Sequence, residues 1–151
     1  MTDKAILITG CSSGIGLCVA RGLRTRGWRV FASARQPEDV ARLAGEGLEC
    51  LRLDLDDSDS IAAAVEELLA RTGGTLDALF NNGAYGQPGA VEDLSREVLR
   101  AQFETNLFGW HELTRLVLPA MRRQGHGRII QHSSVLGLVA LRFRGAYNAS
   151  K

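Results

Sequence analysis

Thr9-Gly10-Cys11-Ser12-Ser13-Gly14-Ile15-Gly16 carries glycines at GxxxGxG spacing, between a short apolar run and a stretch of helical periodicity. The chemistry that asks for such a turn is phosphate binding. Gly10 permits a tight turn off a strand, Gly14 lets backbone come close to a pyrophosphate, and Gly16 lets the helix pack against a sheet. The helix start, where Ser12, Ser13 and Ile15 surround the glycines, then offers unpaired N–H groups and a partial positive charge to the phosphates. Glycines also serve ordinary turns, so the strand–turn–helix context is what points to a dinucleotide.

A further phosphate is addressed later in the chain. The next strand ends in Ser33-Ala34-Arg35. A carboxylate at that point would bind the ribose 2′-hydroxyl of NAD(H), whereas an arginine pairs with the 2′-phosphate of NADP(H). Arg35, with the Ser12 hydroxyl as a further donor, therefore predicts NADP(H) over NAD(H). Near the other end, Tyr147 and Lys151 stand four residues apart. On a helix the two side chains share a face, although a tyrosine and a lysine at that spacing are common by chance.

The apolar pattern supplies the elements that must hold these groups. Strands are expected over residues 5–8, 28–34, 48–53, 76–80 and 128–131, the last extended to 133. Helices are expected over 15–26, from Pro37, from an N-cap at Ser58, and over 94–123 as one or two segments with Pro119 late in the run. Gly27 and Gly73-Gly74 read as helix stops. Strands bounded by helices, in runs too apolar for a one-sided sheet, imply an α/β fold. It is a doubly wound parallel sheet, the Rossmann architecture, covered on both faces and joined by right-handed crossovers. No repeat or linker divides it, so residues 1–151 read as one NADP-binding domain.

Composition narrows the function classes. With 45% hydrophobic residues and a formal net charge of +1, the chain reads as a globular protein with no bias toward nucleic acid or anionic membrane. No apolar run approaches the ~20 residues of a membrane helix. The first residues lack a signal-peptide pattern, and a cytoplasmic location is expected. Cys11, Cys18 and Cys50 have no CxxC spacing and read as free thiols, and no metal site is expected. His132 falls near the reactive residues, where it reads as a packed histidine rather than a substrate contact.

Taken in order, these pieces resemble the short-chain dehydrogenase/reductase family over the whole chain. The pieces are the turn at 9–16, Asp54-Leu55, Asn81-Asn82-Gly83-Ala84, Asn106, Ser133-Ser134, and Tyr147 with Lys151. The turn followed by Leu17 is most similar to hydroxysteroid dehydrogenases and bacterial NADP-dependent aldehyde reductases. Ser134 precedes Tyr147 by thirteen residues, the family's usual separation, which selects it over Ser133.

The resemblance implies hydride transfer between NADP(H) and an aldehyde or ketone, or the corresponding alcohol. Tyr147 would be the general acid in reduction and the general base in oxidation. A free tyrosine has a pKa of about 10, and the Lys151 ammonium beside it would favour the tyrosinate. Lys151 would also hold the nicotinamide ribose, and Ser134 would hydrogen-bond the substrate oxygen. Asn106 would order a water linking Lys151 to solvent. Asp54, with Leu55, would meet the adenine, and Asn82, Gly83 and nearby backbone would line the adenosine ribose side. The partner is a small carbonyl or alcohol substrate, and the full-length form is a homo-oligomer.

The sequence departs from the family twice. The usual Asn-Asn-Ala-Gly reads Asn81-Asn82-Gly83-Ala84, which moves the glycine one place earlier and predicts an altered local turn with binding kept. Family members also continue past the position of Lys151 into the rest of the Tyr147 helix, two more strands and the loop that shapes the substrate pocket. The domain is therefore expected to be C-terminally incomplete, truncated after a fifth strand that forms an open edge. The alternative expectation is a truncated, non-catalytic dinucleotide-binding or interaction module.

Overall fold

A computed structural model describes residues 4–151. Residues 1–3, part of the start that lacks a signal-peptide pattern, lie outside the described residues. The expected strands all form: β1 (Ala5–Ile8), β2 (Arg29–Ala34), β3 (Glu49–Arg52), β4 (Ala78–Asn81) and β5 (Arg128–Gln131). They make one sheet in the order β3-β2-β1-β4-β5, and every pairing is parallel.

Alternation along each strand divides the core into two layers. On one face Leu7, Phe31, Leu51 and Leu79 pack against Ile61, Val65 and Leu68 of α3 (Ser58–Thr72) and against Leu113 and Val117 of α5 (Gly109–Gln124). On the other, Ile6, Ile8, Val30, Ala32 and Phe80 meet Ala20 of α1 (Gly14–Arg24) and Leu43 of α2 (Pro37–Gly45). Each fully buried Leu, Ile or Phe contributes ~1.5–3 kcal/mol, which is why the inner strands are apolar on both faces.

Helix ends differ from expectation by small shifts with clear causes. Asp57, not Ser58, caps α3: its carboxylate accepts from the N–H groups of Asp59 (3.0 Å) and Ser60 (3.3 Å). An acid one residue earlier satisfies two of the orphan donors, so Ser58 becomes the first helical residue. Helix α1 stops at Arg24, and Gly27 with φ +84° lies in the turn beyond it. The long helical stretch begins after the Ser95 cap as α4 (Arg96–Phe103), passes through a π-helical turn at Glu104–Phe108, and continues as α5. Such a turn inserts an extra residue into a helix and re-aims the side chains around it. Here it buries Asn106.

Strand order reverses between β1 and β4. The chain leaves β1 for β2 and β3 on one side, then returns through α3 to β4 on the other. The carboxyl ends of β1 and β4 therefore flank a crevice, where doubly wound sheets bind their ligands.

Candidate active site

The crevice is made by close approach of two backbones. Gly10 (φ +68°) would put a Cβ 2.6 Å from the Gly83 Cα. Gly16 would put one 2.4 Å from the Gly10 carbonyl oxygen and 2.6 Å from Asn82 Nδ2. Gly16 thus makes room for the turn's own carbonyl and for the Asn82 amide, beyond the helix–sheet packing expected of it. Gly14 takes φ +60° in open space, a conformation that alone favours glycine. At Asn82-Gly83-Ala84 the shifted glycine does not use the backbone angles that favour it. Neither Gly83 nor Ala84 has a positive φ, and position 83 is constrained instead by Gly10 N, 3.2 Å from where its Cβ would lie.

Thr9 and Asn82 lock the two ends together. Thr9 Oγ1 accepts from the N–H groups of Asn82 (2.9 Å) and Gly83 (2.8 Å). Asn82 Nδ2 donates to the carbonyls of Thr9 (2.8 Å) and Gly10 (3.2 Å). The Asn82 side chain therefore faces the turn, and Gly83, Ala84 and Tyr85 line the groove beside it.

A groove of about 570 Å³ opens over this turn. Gly10 and Ser12 form one part of its lining, Arg35 another, and Asp54 with Leu55 a third. At its edge the start of α1 leaves Ser13 and Ile15 exposed, with no side chain capping the helix. Among the described residues no carboxylate pairs with Arg35. Asp54 lines the groove and also accepts from the Asp56 N–H through Oδ1 (3.2 Å), so its turn-capping and groove-lining placements coexist. These features suit a dinucleotide: N–H groups and a helix start for a pyrophosphate, and an unpaired guanidinium for a phosphate on the ribose.

Tyr147 and Lys151 line different recesses. Tyr147 lines a recess of about 320 Å³ with Gly86, Leu136, Leu141 and Arg144, and this recess shares Ala84 and Tyr85 with the groove. Lys151 lies just beyond α6 (Gly145–Ser150), as its C-cap. Its ammonium donates to the His132 carbonyl (2.6 Å) and sits 4.0 Å from the centroid of the Trp110 ring. Burial pushes the Lys151 ammonium down to about 8, while the indole face favours the charged form.

The two serines of the Ser133-Ser134 pair are separated by their hydrogen bonds. Ser134 Oγ accepts from the Leu136 N–H (3.1 Å), which orients the hydroxyl and leaves its proton available to donate. Ser133 Oγ already donates to the Lys151 carbonyl (2.8 Å). Asn106 has both ends of its amide engaged: Oδ1 accepts from Tyr85 N (3.1 Å), and Nδ2 donates to Tyr85 O (2.9 Å) and Ser150 Oγ (2.9 Å). Asn106 thereby ties the loop after β4 to α6.

Sequence reasoning missed Thr9 as the organiser of the crevice, and it missed Trp110, whose Nε1–H donates to Gly83 O (2.7 Å) under the Lys151 ammonium. Cys11 is buried, and burial pushes its thiol up to about 12; all three cysteines are free, as expected. Among the described residues, no group of His, Cys, Asp or Glu side chains could hold a metal ion, and no helix is long and apolar enough to cross a membrane.

The fold and crevice define the dinucleotide-binding class of doubly wound folds, and comparison with known proteins gives the family. A family model described as short chain dehydrogenase matches residues 4–151. The chain belongs to this family. It is 45% identical over 149 residues to the uncharacterized oxidoreductase YbbO of Escherichia coli K12, covering 99% of this chain and 55% of that protein. A short-chain dehydrogenase from Streptomyces avermitilis superposes with a TM-score of 0.94 at 35% identity, over 100% of this chain and 56% of that one. Actinorhodin polyketide ketoreductase with NADPH gives a TM-score of 0.92 at 35% identity, over 98% and 59%. The chain spans about half the length of the curated relatives it matches.

Proposed function

We propose that this chain is the cofactor-binding portion of an oxidoreductase that moves hydride between NADP(H) and an aldehyde or ketone, or the corresponding alcohol. The observation that carries the reading is the crevice between Gly10 and Gly83, with an unpaired Arg35 at the tip of β2. The similarity to a ketoreductase crystallised with NADPH supports both the cofactor and the carbonyl substrate class.

When bound, NADPH supplies the hydride. The chain's own residues do the rest. The turn's N–H groups and the α1 start hold the pyrophosphate, and Arg35 holds the 2′-phosphate. The Ser134 hydroxyl, with its acceptor side engaged by Leu136 N, donates to the substrate oxygen as negative charge grows there. Tyr147, in the recess that opens off the groove, donates its phenolic proton to that oxygen during reduction and takes it back during oxidation.

NADPH oxidation measured against a panel of aldehydes and ketones tests the reading, with turnover expected on at least one member. The cofactor choice has its own test. Arg35→Ala removes a charge-assisted contact of the kind that contributes ~1.5–3 kcal/mol, so its NADPH dissociation constant rises about tenfold or more. Its NADH dissociation constant stays unchanged. Equal NADPH affinity in wild type and variant would contradict the role of Arg35.

One observation favours a second reading. Tyr147 and Lys151 occupy different recesses, which suits a dinucleotide-binding module without catalysis. NADPH binding with no turnover on the panel selects that reading.

A further inference from the structure

We infer that His132 is a positioning residue for the dinucleotide: its ring fixes the Asn82 amide that holds the glycine turn in place. The inference rests on the NADP(H)-binding reading above.

The argument starts from donors and acceptors. Asn82 Nδ2 lies within hydrogen-bonding distance of the carbonyls of Thr9 and Gly10, so that end of the amide must be the NH2 group. The other end, Oδ1, is then an acceptor. His132 Nδ1 stands 2.9 Å from it. Nδ1 must therefore carry a proton, which leaves the Nδ1–H tautomer or the doubly protonated ring and excludes the Nε2–H tautomer.

The ring is held from two further sides. It stacks on Phe80 with centroids 5.5 Å apart and an interplanar angle of 29°. The His132 backbone N–H donates to the Asn81 carbonyl (3.0 Å), which extends the β4–β5 pairing by one step. Gly16 completes the fit, because any Cβ there would meet Asn82 Nδ2.

The consequence is a chain of contacts from β5 to the phosphate turn: His132 ring, Asn82 amide, carbonyls of Thr9 and Gly10. The same strand end leads two residues on into Ser134, the proposed donor to the substrate oxygen. Without the ring donor, Asn82 Oδ1 loses its hydrogen-bond partner, the amide gains freedom to rotate, and both carbonyls of the turn loosen. The loss then appears at a site the histidine does not touch.

Two variants separate the donor from the ring. His132→Phe keeps the stacking on Phe80 and removes the donor. His132→Asn removes the ring and keeps an N–H donor at the same branch position. The readouts are the NADPH dissociation constant, by fluorescence titration, and hydrogen exchange of the backbone amides of residues 10–16, without ligand. His132→Phe is expected to weaken NADPH binding about five- to tenfold, the effect of one lost hydrogen bond, and to speed exchange across the turn. His132→Asn is expected to stay within about twofold of wild type in both, on the same hydrogen-bond reasoning.

Wild-type values for His132→Phe in both readouts overturn the inference. So does equal weakening by the two variants, because the loss would then follow any replacement of the histidine and not the loss of its donor. If His132→Phe fails to fold, His132→Asn decides alone, and faster exchange in it counts against the inference. If the wild-type protein binds no NADPH, the proposed function fails, and the exchange comparison by itself decides the role of His132.

Discussion

Gly16→Ala is expected to abolish measurable NADPH binding and to lower the unfolding temperature. The added Cβ would lie 2.4 Å from the Gly10 carbonyl oxygen and 2.6 Å from Asn82 Nδ2. Neither neighbour is the end of a flexible side chain. One is backbone, and the other is an amide already bound to two carbonyls and a histidine. The turn must shift as a unit, and overpacking of this kind costs ~1–3 kcal/mol. Each kcal/mol lowers the unfolding temperature of a domain this size by about 2–4 °C. Gly22→Ala is the internal control. Gly22 lies in the same helix with open space where a Cβ would point, so alanine there is expected to stabilise by about 0.5–1 kcal/mol and leave NADPH affinity alone. Comparable losses in both variants would show that helix α1 is merely intolerant of alanine.

Tyr147→Phe is expected to lower turnover by ~10²–10⁴-fold, the usual contribution of a positioned proton donor, on whichever carbonyl substrate the wild-type protein reduces. The NADPH dissociation constant should remain within about twofold, because no other catalytic contribution is removed with the hydroxyl. The structural ground is that Tyr147 lines its own recess and not the cofactor groove. A split of that kind, kcat lost with cofactor affinity kept, marks a proton donor. Loss of NADPH affinity in parallel would mean that the phenol supports the groove. Undiminished turnover would remove Tyr147 from the chemistry.

The local parts of this account were legible in the sequence. Strands β1 to β5 announce themselves as short apolar runs between helical patterns, and the glycine turn announces itself through residue types that few other conformations require. Arg35 was readable for the same reason, since the end of β2 is set by the strand pattern. What escaped depends on contacts between residues far apart in the chain. The bond from His132 to Asn82 spans 50 residues, and the one from Asn82 to Thr9 spans 73. No spacing in the chain signals either. Trp110 looks like an ordinary core residue of a helix until its indole N–H is seen on the Gly83 carbonyl. The partners of the Lys151 ammonium, the His132 carbonyl and the Trp110 ring, come from separate elements and no spacing announces them. At Asn82 the sequence pointed to the right place without announcing that its amide holds the glycine turn.

These contacts make one mechanical argument. The turn backbone is held by Thr9, Asn82 and Gly16. In the proposed function, selectivity for a phosphate on the ribose rests on Arg35, whose guanidinium has no carboxylate partner among the described residues. The most direct measurement is therefore a side-by-side titration of the protein with NADPH and NADH, followed by nicotinamide fluorescence. Saturable NADPH binding, about tenfold or more tighter than NADH binding, is the predicted result for a guanidinium–phosphate contact. No binding of either dinucleotide, or equal affinity for both, would contradict it.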